Sequence, residues 1–173
     1  MGFFTKEKIT TEKITETLLD FFDADYQSLI DGIKKLDDKI LISEEQQKEL
    51  LVLPVMATII TVNSAFGNSE ITKNILDKFY RDILSKYFQK SGEIEQFNDL
   101  YYERNKEYSE ALRIEAKGVN QIALGKVFCN NFFKEKETGK NLPIMLFVRG
   151  SLSAYMINKK EFLDSLSSKF EIV

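Results

Sequence analysis

Apolar residues recur every three or four positions through most of the chain, a spacing that places them on one face of a helix. The first stripe follows a threonine cap at Thr10 or Thr11. Its apolar members are Leu18, Phe22, Tyr26, Leu29, Ile33 and Leu36. The aspartates between 20 and 38 fall mostly off this stripe, with Asp25 near its edge, so we interpret them as a solvated outer face.

A second helix is predicted to begin at Ser43, because Ser43-Glu44-Glu45-Gln46 matches the capping box. It continues through an apolar run from 50 to 62 and stops at Gly67. The run is apolar nearly all round, which favours the centre of the fold, and it is shorter than the roughly 20 residues that cross a bilayer. We therefore expect no membrane contact. Pro54 predicts a kink or a break just before it.

A third helix is predicted to begin at Asn68 or Ser69 and to end near Gly92. Its apolar side consists of Ile75, Leu76, Phe79, Ile83 and Tyr87. A fourth helix should begin just after Gly92, since the same periodicity resumes there.

The fourth stripe is long, and its far end is open to two interpretations. Its members are Ile94, Phe97, Tyr101, Tyr108, Leu112 and Val119. The residues from 94 to 134 form either one helix or two, because Gly118 and Gly125 each offer an interruption. The polar stretch from 134 to 141 is predicted to be a loop.

The apolar run 144–148 fits either a strand or a buried helix by periodicity alone. We predict helix, because no other segment offers a convincing strand to pair with it. Asn158-Lys159-Lys160-Glu161 resembles a capping box and predicts a last short helix. The resulting fold class is all-α: a single-domain bundle of about six helices over residues 1–173, with a central, nearly all-apolar helix.

Composition and charge narrow the functional classes. The 173 residues carry a formal net charge of −3 with both signs mixed along the chain, so a nucleic-acid partner is unlikely on charge grounds. Cys129 is the single cysteine and lies in an apolar segment, which predicts a core residue in a reduced, cytoplasmic protein. The first residues include Lys6 and Lys8 where a secretory signal needs an apolar segment.

The sequence contains no histidine, which excludes Ser-His-Asp, Cys-His and histidine-based metal sites. We expect no cofactor and no transition metal. Two carboxylate pairs, Glu107 with Glu110 and Glu161 with Asp164, have the spacing of helical magnesium hydrolases. Because about 50 residues separate the pairs, this enzymatic interpretation is the least favoured of three.

Several polar residues interrupt the fourth stripe at positions where a purely structural helix would be apolar. Arg104, Asn105 and Glu115 lie on or beside it, and Arg149 stands in an almost uncharged stretch. The candidate binding residues are therefore Tyr101, Arg104, Asn105, Tyr108, Glu115 and Arg149. The structural alternative is an internal ion pair for Arg104, and for Arg149 a carboxylate partner or a place at the rim.

Three functions remain, and the first rests mainly on the absence of catalytic motifs. We expect a small helical interaction or regulatory module that binds a protein partner or self-associates. The runner-up is a helical bundle with a small-molecule pocket near Tyr101, Arg104 and Tyr108. The third is the carboxylate-metal hydrolase.

Overall fold

The computed structural model describes residues 6–134 and 141–173, and these residues form six helices and two short strands. The strands are β1 (Glu7–Ile9) and β2 (Phe170–Ile172); the helices are α1 (Thr11–Leu36), α2 (Glu44–Phe66), α3 (Glu70–Tyr87), α4 (Ser91–Ala116), α5 (Ala123–Phe133) and α6 (Leu142–Lys169). The predicted all-α bundle of about six helices is confirmed. The predicted loop 134–141 lies, apart from its two end residues, outside the described residues.

The first three helices begin at the predicted caps. The Thr10 hydroxyl accepts the backbone N–H of Lys13 at 3.3 Å, and α1 starts at the next residue. Ser43 and Gln46 exchange both bonds of the capping box at 3.0 and 3.3 Å. Ser69 caps α3 in the same way. These caps depend on residues three positions apart, which is why the sequence alone predicts them.

Helix α2 occupies the centre of the bundle and contacts all five other helices. Every residue from 49 to 58 is buried. The helix runs unbroken through Pro54, so the alternative of a break is wrong; packing on all sides holds the turn whose hydrogen bond Pro54 removes. By length and composition α2 is also one helix able to cross a membrane, with 67% of its most apolar window buried inside the fold. The sequence analysis judged only the run 50–62, which is shorter than the full helix, and the burial of α2 agrees with the expected central position.

The connections around α4 differ from the predicted ones. Helix α3 ends at Tyr87, and α4 begins at Ser91, so Gly92 lies inside a first turn rather than at a helix end. The Glu93 carboxylate favours this boundary by accepting the backbone N–H of Gln89 at 3.2 Å. At the other end Gly118 adopts a φ of 71°, and the chain breaks there into α4 and α5. The open question over 94–134 is thus resolved as two helices.

The last helix, α6, runs for 28 residues without interruption. It includes 144–148, so the helical prediction for that run is confirmed. The predicted short helix opening at Asn158 is wrong, because Lys159 is fully buried and continues the inner face of α6. A local match to a capping box is outweighed here by burial of the whole helix face.

A two-stranded parallel sheet joins the two ends of the described chain, and the sequence analysis missed it. Strand β1 pairs with β2 in the register Lys8 to Glu171. The N–H of Thr11 and the carbonyl of Val173 extend the contact at 3.2 Å. Each strand has three residues, too few to show an alternating pattern, and the partner lies at the opposite end of the sequence.

Candidate functional site

A buried carboxylate lies where α2 passes α4. Glu49 precedes the apolar centre of α2 and is only 4% exposed. It occupies the inner face of the helix one turn before Val52 and Leu53, both fully buried. A carboxylate at such a position requires partners from a neighbouring helix, because burying it alone costs several kcal/mol, on the order of 3 to 5.

Two residues of α4, one helical turn apart, supply those partners. The Arg104 guanidinium donates from Nε to Glu49 Oε2 at 2.8 Å. The Tyr108 hydroxyl, on the same face four residues later, donates to Glu49 Oε1. Both carboxylate oxygens are therefore bonded, and Arg104 interrupts the apolar stripe of α4 because α2 presents a charge to it.

A second layer holds the guanidinium in place. Arg104 Nη1 lies 3.1 Å from Glu107 Oε2 and 3.2 Å from Glu103 Oε1. Asn131, on α5, donates its amide N–H to the same Glu107 oxygen at 2.8 Å. Helices α2, α4 and α5 are thus linked through one polar network, which we call the Glu49 cluster: Glu49, Arg104, Glu107, Tyr108 and Asn131.

Burial governs the titration of the Glu49 cluster. It raises the pKa of Glu49 above its ordinary value, against the opposing effect of the bonds from Tyr108 and Arg104. The pKa of Tyr108 is raised well above 10 by burial and then by the Glu49 charge. Burial alone would lower the pKa of Arg104, but the bond and charge of Glu49 outweigh it and keep the pKa above its ordinary value. Arg104 is accordingly a fixed cation.

A pocket of about 280 Å³ opens beside this cluster between α2, α4 and α5. Leu100 and Phe132 give it an apolar part, and Gln96, Arg104 and Asn131 give it polar groups. The pocket lies close to where the sequence analysis expected one, near Arg104. Tyr101 and Tyr108 do not line it.

Two further candidates, Glu115 and Arg149, form a separate pair. Arg149 Nε on α6 lies 3.3 Å from Glu115 Oε2 at the end of α4. The other Glu115 oxygen accepts the backbone N–H of Leu124 at 2.9 Å, in the first turn of α5. The Arg149 side chain is 45% exposed, so it has both the carboxylate partner and the rim position that were expected as alternatives. This pair ties three helices together.

The remaining two candidates lie apart from both groups. Tyr101 packs on Tyr80 of α3, with ring centroids 5.8 Å apart, and burial raises its pKa to about 12. Asn105 lies on the outward side of α4, in an open depression with Tyr102 and Lys106. The six residues therefore do not converge on one site.

A second buried ion pair escaped the sequence analysis. Lys159 on α6 is fully buried and donates to Asp25 of α1, which is 8% exposed. The interpretation of Asp25 as part of a solvated face is therefore wrong. A signal was present: Lys159 continues the spacing of Leu152, Tyr155 and Leu163, the buried face of α6.

The carboxylate pairs proposed for magnesium do not come together as a metal site. Within 6–134 and 141–173 no group of three acidic or cysteine side chains is placed to hold a metal. Glu107 is bound to Arg104, Glu110 to Arg113, and Asp164 to Lys160. The hydrolase interpretation has no geometric support in these ranges.

Comparison with known proteins gives no family assignment: no family model, no curated protein and no solved structure matches this chain. The class defined by the fold is an all-α bundle with a buried polar network. Functional inference therefore rests on the geometry above.

Proposed function

We propose that this chain is a small helical interaction module that binds another protein through the outward side of α4. We call this side the α4 outer surface; it consists of Tyr102, Asn105, Lys106, Ser109, Glu110 and Arg113. The proposal places Asn105 in the interface and leaves Arg104 and Tyr108 as the residues that anchor α4 to the bundle.

The observation that carries the proposal is how little of α4 the bundle covers. The helix has 26 residues, of which Phe97, Tyr108 and Ala111 are buried. Five more of its apolar residues pack against the core but are only partly buried: Ile94, Leu100, Tyr101, Leu112 and Ile114. Tyr102 is 79% exposed. Helical stability in proteins comes mostly from packing of an apolar face, so a long helix with so few buried positions is suited to a second partner. Tyrosine and arginine are the residue types most often found at binding hot spots.

The charges on this surface favour a protein over a nucleic acid or a bilayer. Arg113 donates two bonds to Glu110 at 2.6 and 2.9 Å, so its charge is balanced, and Lys106 is left as the surface's one cation without an ion pair among the described residues. Nucleic acids require uncompensated basic groups, and a bilayer requires a continuous apolar face. A mixed polar face with one exposed aromatic residue resembles ordinary protein interfaces. Cytoplasmic location remains part of the proposal, supported by the single buried thiol of Cys129.

Site-specific photo-crosslinking in the native host tests this surface. A photoreactive residue is placed at Tyr102 or Ser109, and matched controls carry it at Asp20 of α1 or Ala154 of α6, which are also exposed. We expect one adduct of defined mass at the two α4 positions and none at the controls. Equal labelling at all four positions, or none, would contradict the proposal.

The partner identified in this way is then purified and its affinity measured. Replacing Tyr102 with Ala should weaken binding by about tenfold or more, the effect of losing a hot-spot aromatic residue. Ala154→Ser on α6 should leave the affinity unchanged. An adduct of two copies of this chain would instead identify self-association and overturn the choice of a different protein as partner.

A further inference from the structure

The pocket beside Arg104 lies on a different part of the surface from the α4 outer surface, and its lining indicates a binding site for a small molecule. Its polar wall contains a guanidinium and three side-chain amides, those of Gln46, Gln96 and Asn131. These groups recognise planar hydrogen-bonding partners through paired donors and acceptors. The donor and acceptor atoms of these groups that have no partner within the described residues determine what the pocket is able to bind.

Arg104 uses only part of its donor set on the Glu49 cluster. Nε binds Glu49, and Nη1 binds Glu107, whereas Nη2 has no partner among the described residues. Asn131 uses its amide N–H on Glu107 and leaves Oδ1 without a described donor. In the described ranges Asn130 Oδ1 is the one buried side-chain oxygen or nitrogen without a partner. Neither Arg104 Nη2 nor Asn131 Oδ1 is such an atom, and both residues line the pocket, so these two atoms are its available donor and acceptor.

Charge around the pocket decides the class of ligand. The charged groups of the lining nearly balance: Lys134 pairs with Glu45, Arg104 pairs with Glu49, and the Lys48 ammonium donates to Gln96 Oε1. An anion at Arg104 would also meet the carboxylates of Glu49, Glu103 and Glu107, which lie within 3.2 Å of the guanidinium. A neutral acceptor bonds to Nη2 without that repulsion.

We propose that this pocket binds a small neutral ligand that carries a planar amide or an equivalent donor and acceptor pair. Its carbonyl oxygen accepts from Arg104 Nη2, its N–H donates to Asn131 Oδ1, and its apolar part lies against Leu100 and Phe132. Glu49 and Glu107 position the guanidinium, because they fix Nε and Nη1 and leave the third nitrogen directed at the ligand.

The ligand class is tested with three pyridines of similar size whose 3-substituents are neutral, anionic and cationic at neutral pH: nicotinamide, nicotinate and 3-(aminomethyl)pyridine. Each is titrated to millimolar concentration into isotope-labelled protein while the side-chain amide signals of Gln96 and Asn131 and the Arg104 Nε signal are followed. We expect saturable shifts with nicotinamide and none with the other two. Shifts of equal affinity with nicotinate would overturn the neutral class, and no shift with nicotinamide would overturn the site.

Two variants locate the binding. Arg104→Lys keeps the charge facing Glu49 but removes Nη2, and it should weaken nicotinamide binding by about tenfold. Gln96→Ala removes another polar group of the pocket lining at an exposed position. It provides a second measurement of nicotinamide binding if Arg104→Lys lowers stability too far. Arg81→Lys on α3 is the matched control. Unchanged binding in both pocket variants would overturn the proposal, and this outcome is independent of crosslinking at α4.

Discussion

Lys159 donates a hydrogen bond to Asp25 in the interior, joining α1 to α6 across 134 positions of sequence. The Tyr155 hydroxyl, one turn earlier on α6, donates to the Asp25 backbone carbonyl at 2.9 Å. Burial lowers the pKa of Lys159 and raises the pKa of Asp25, while their mutual attraction opposes both shifts. The pair and the Tyr155 bond thus connect α1 to α6 at Asp25.

We predict that Lys159→Met destabilises the protein by roughly 3 to 5 kcal/mol, because Asp25 is left buried without its cation. The double variant Asp25→Leu with Lys159→Met should recover much of that loss, since no charge is then left unpaired. Urea unfolding of both single variants and the double variant measures the coupling. Additive losses would show that the two side chains do not depend on each other.

The contrast between Asp25 and the helix caps shows what sequence reasoning reaches. Ser43 and Gln46 satisfy each other within one turn, so their contact is encoded locally. Asp25 and Lys159 meet only because α1 and α6 pack at one particular rotation, which periodicity does not specify. Each lies close to an apolar stripe, and that position was the available sign of burial.

In the candidate site, too, the residues marked by the local sequence pattern could be predicted, whereas the contacts between helices could not. Arg104 stood out because it interrupts an apolar stripe of which Tyr108 is a member, and the structure places both side chains against a charge. Glu49 was missed, since one acidic residue at the start of an apolar run looks like an ordinary helix terminus. Its role depends on where α4 crosses α2. Asn105 points away from Glu49 because it is one residue, about 100° of helix rotation, further round than Arg104.

Replacing two helical glycines with alanine should change the free energy of unfolding in opposite directions. A methyl group at Gly125 would lie 2.2 Å from the Met145 carbonyl oxygen, because α5 packs directly against the α6 backbone there. Gly150 is exposed within α6 and has no atom within 4 Å of that position. We expect Gly125→Ala to lose about 1 to 3 kcal/mol and Gly150→Ala to gain about 0.5 to 1 kcal/mol. Chemical denaturation measures both, and a stabilising Gly125→Ala would contradict the close helix contact.

Alkaline pH should weaken the fold. Burial raises the pKa of Cys129 to about 12, and it raises the pKa values of Tyr80 and Tyr101 to about 12 as well. Above the unfolded pKa values of about 8.5 for cysteine and 10 for tyrosine, the unfolded chain loses protons that the folded chain keeps. The unfolded state then binds fewer protons, so the free energy of unfolding falls as pH rises toward 12.

Guanidinium unfolding from about pH 8 to about pH 10.5 measures this fall. Cys129→Val removes one of these titrating groups and keeps a small apolar side chain. The free energy of unfolding of this variant should therefore fall with pH less steeply than that of the wild type, by a difference of up to about 1.4 kcal/mol per pH unit. Tyrosinate absorbance should report Tyr80 and Tyr101 only as the protein unfolds. A wild-type stability that stays level or rises over this range would contradict the assigned burial.

The last prediction separates a structural from a recognition role for Arg104. Arg104→Leu removes the cation from Glu49 and leaves Tyr108 as its one remaining donor among the described residues. We expect a loss of roughly 3 to 5 kcal/mol, the range for breaking a buried ion pair. For a chain of this size that corresponds to a fall in melting temperature on the order of 10 °C. The double variant Glu49→Leu with Arg104→Leu should recover part of it, since the buried charge is then absent although the Tyr108 hydroxyl loses its partner. Tyr102→Ala, on the exposed side of the same helix, is the matched control. It should change the melting temperature by no more than about 1 °C, because substitutions of exposed residues rarely change the free energy of unfolding by more than about 0.5 kcal/mol. An Arg104→Leu protein that keeps its melting temperature but loses its partner would reverse the assignment and move the binding surface from Tyr102 to Arg104.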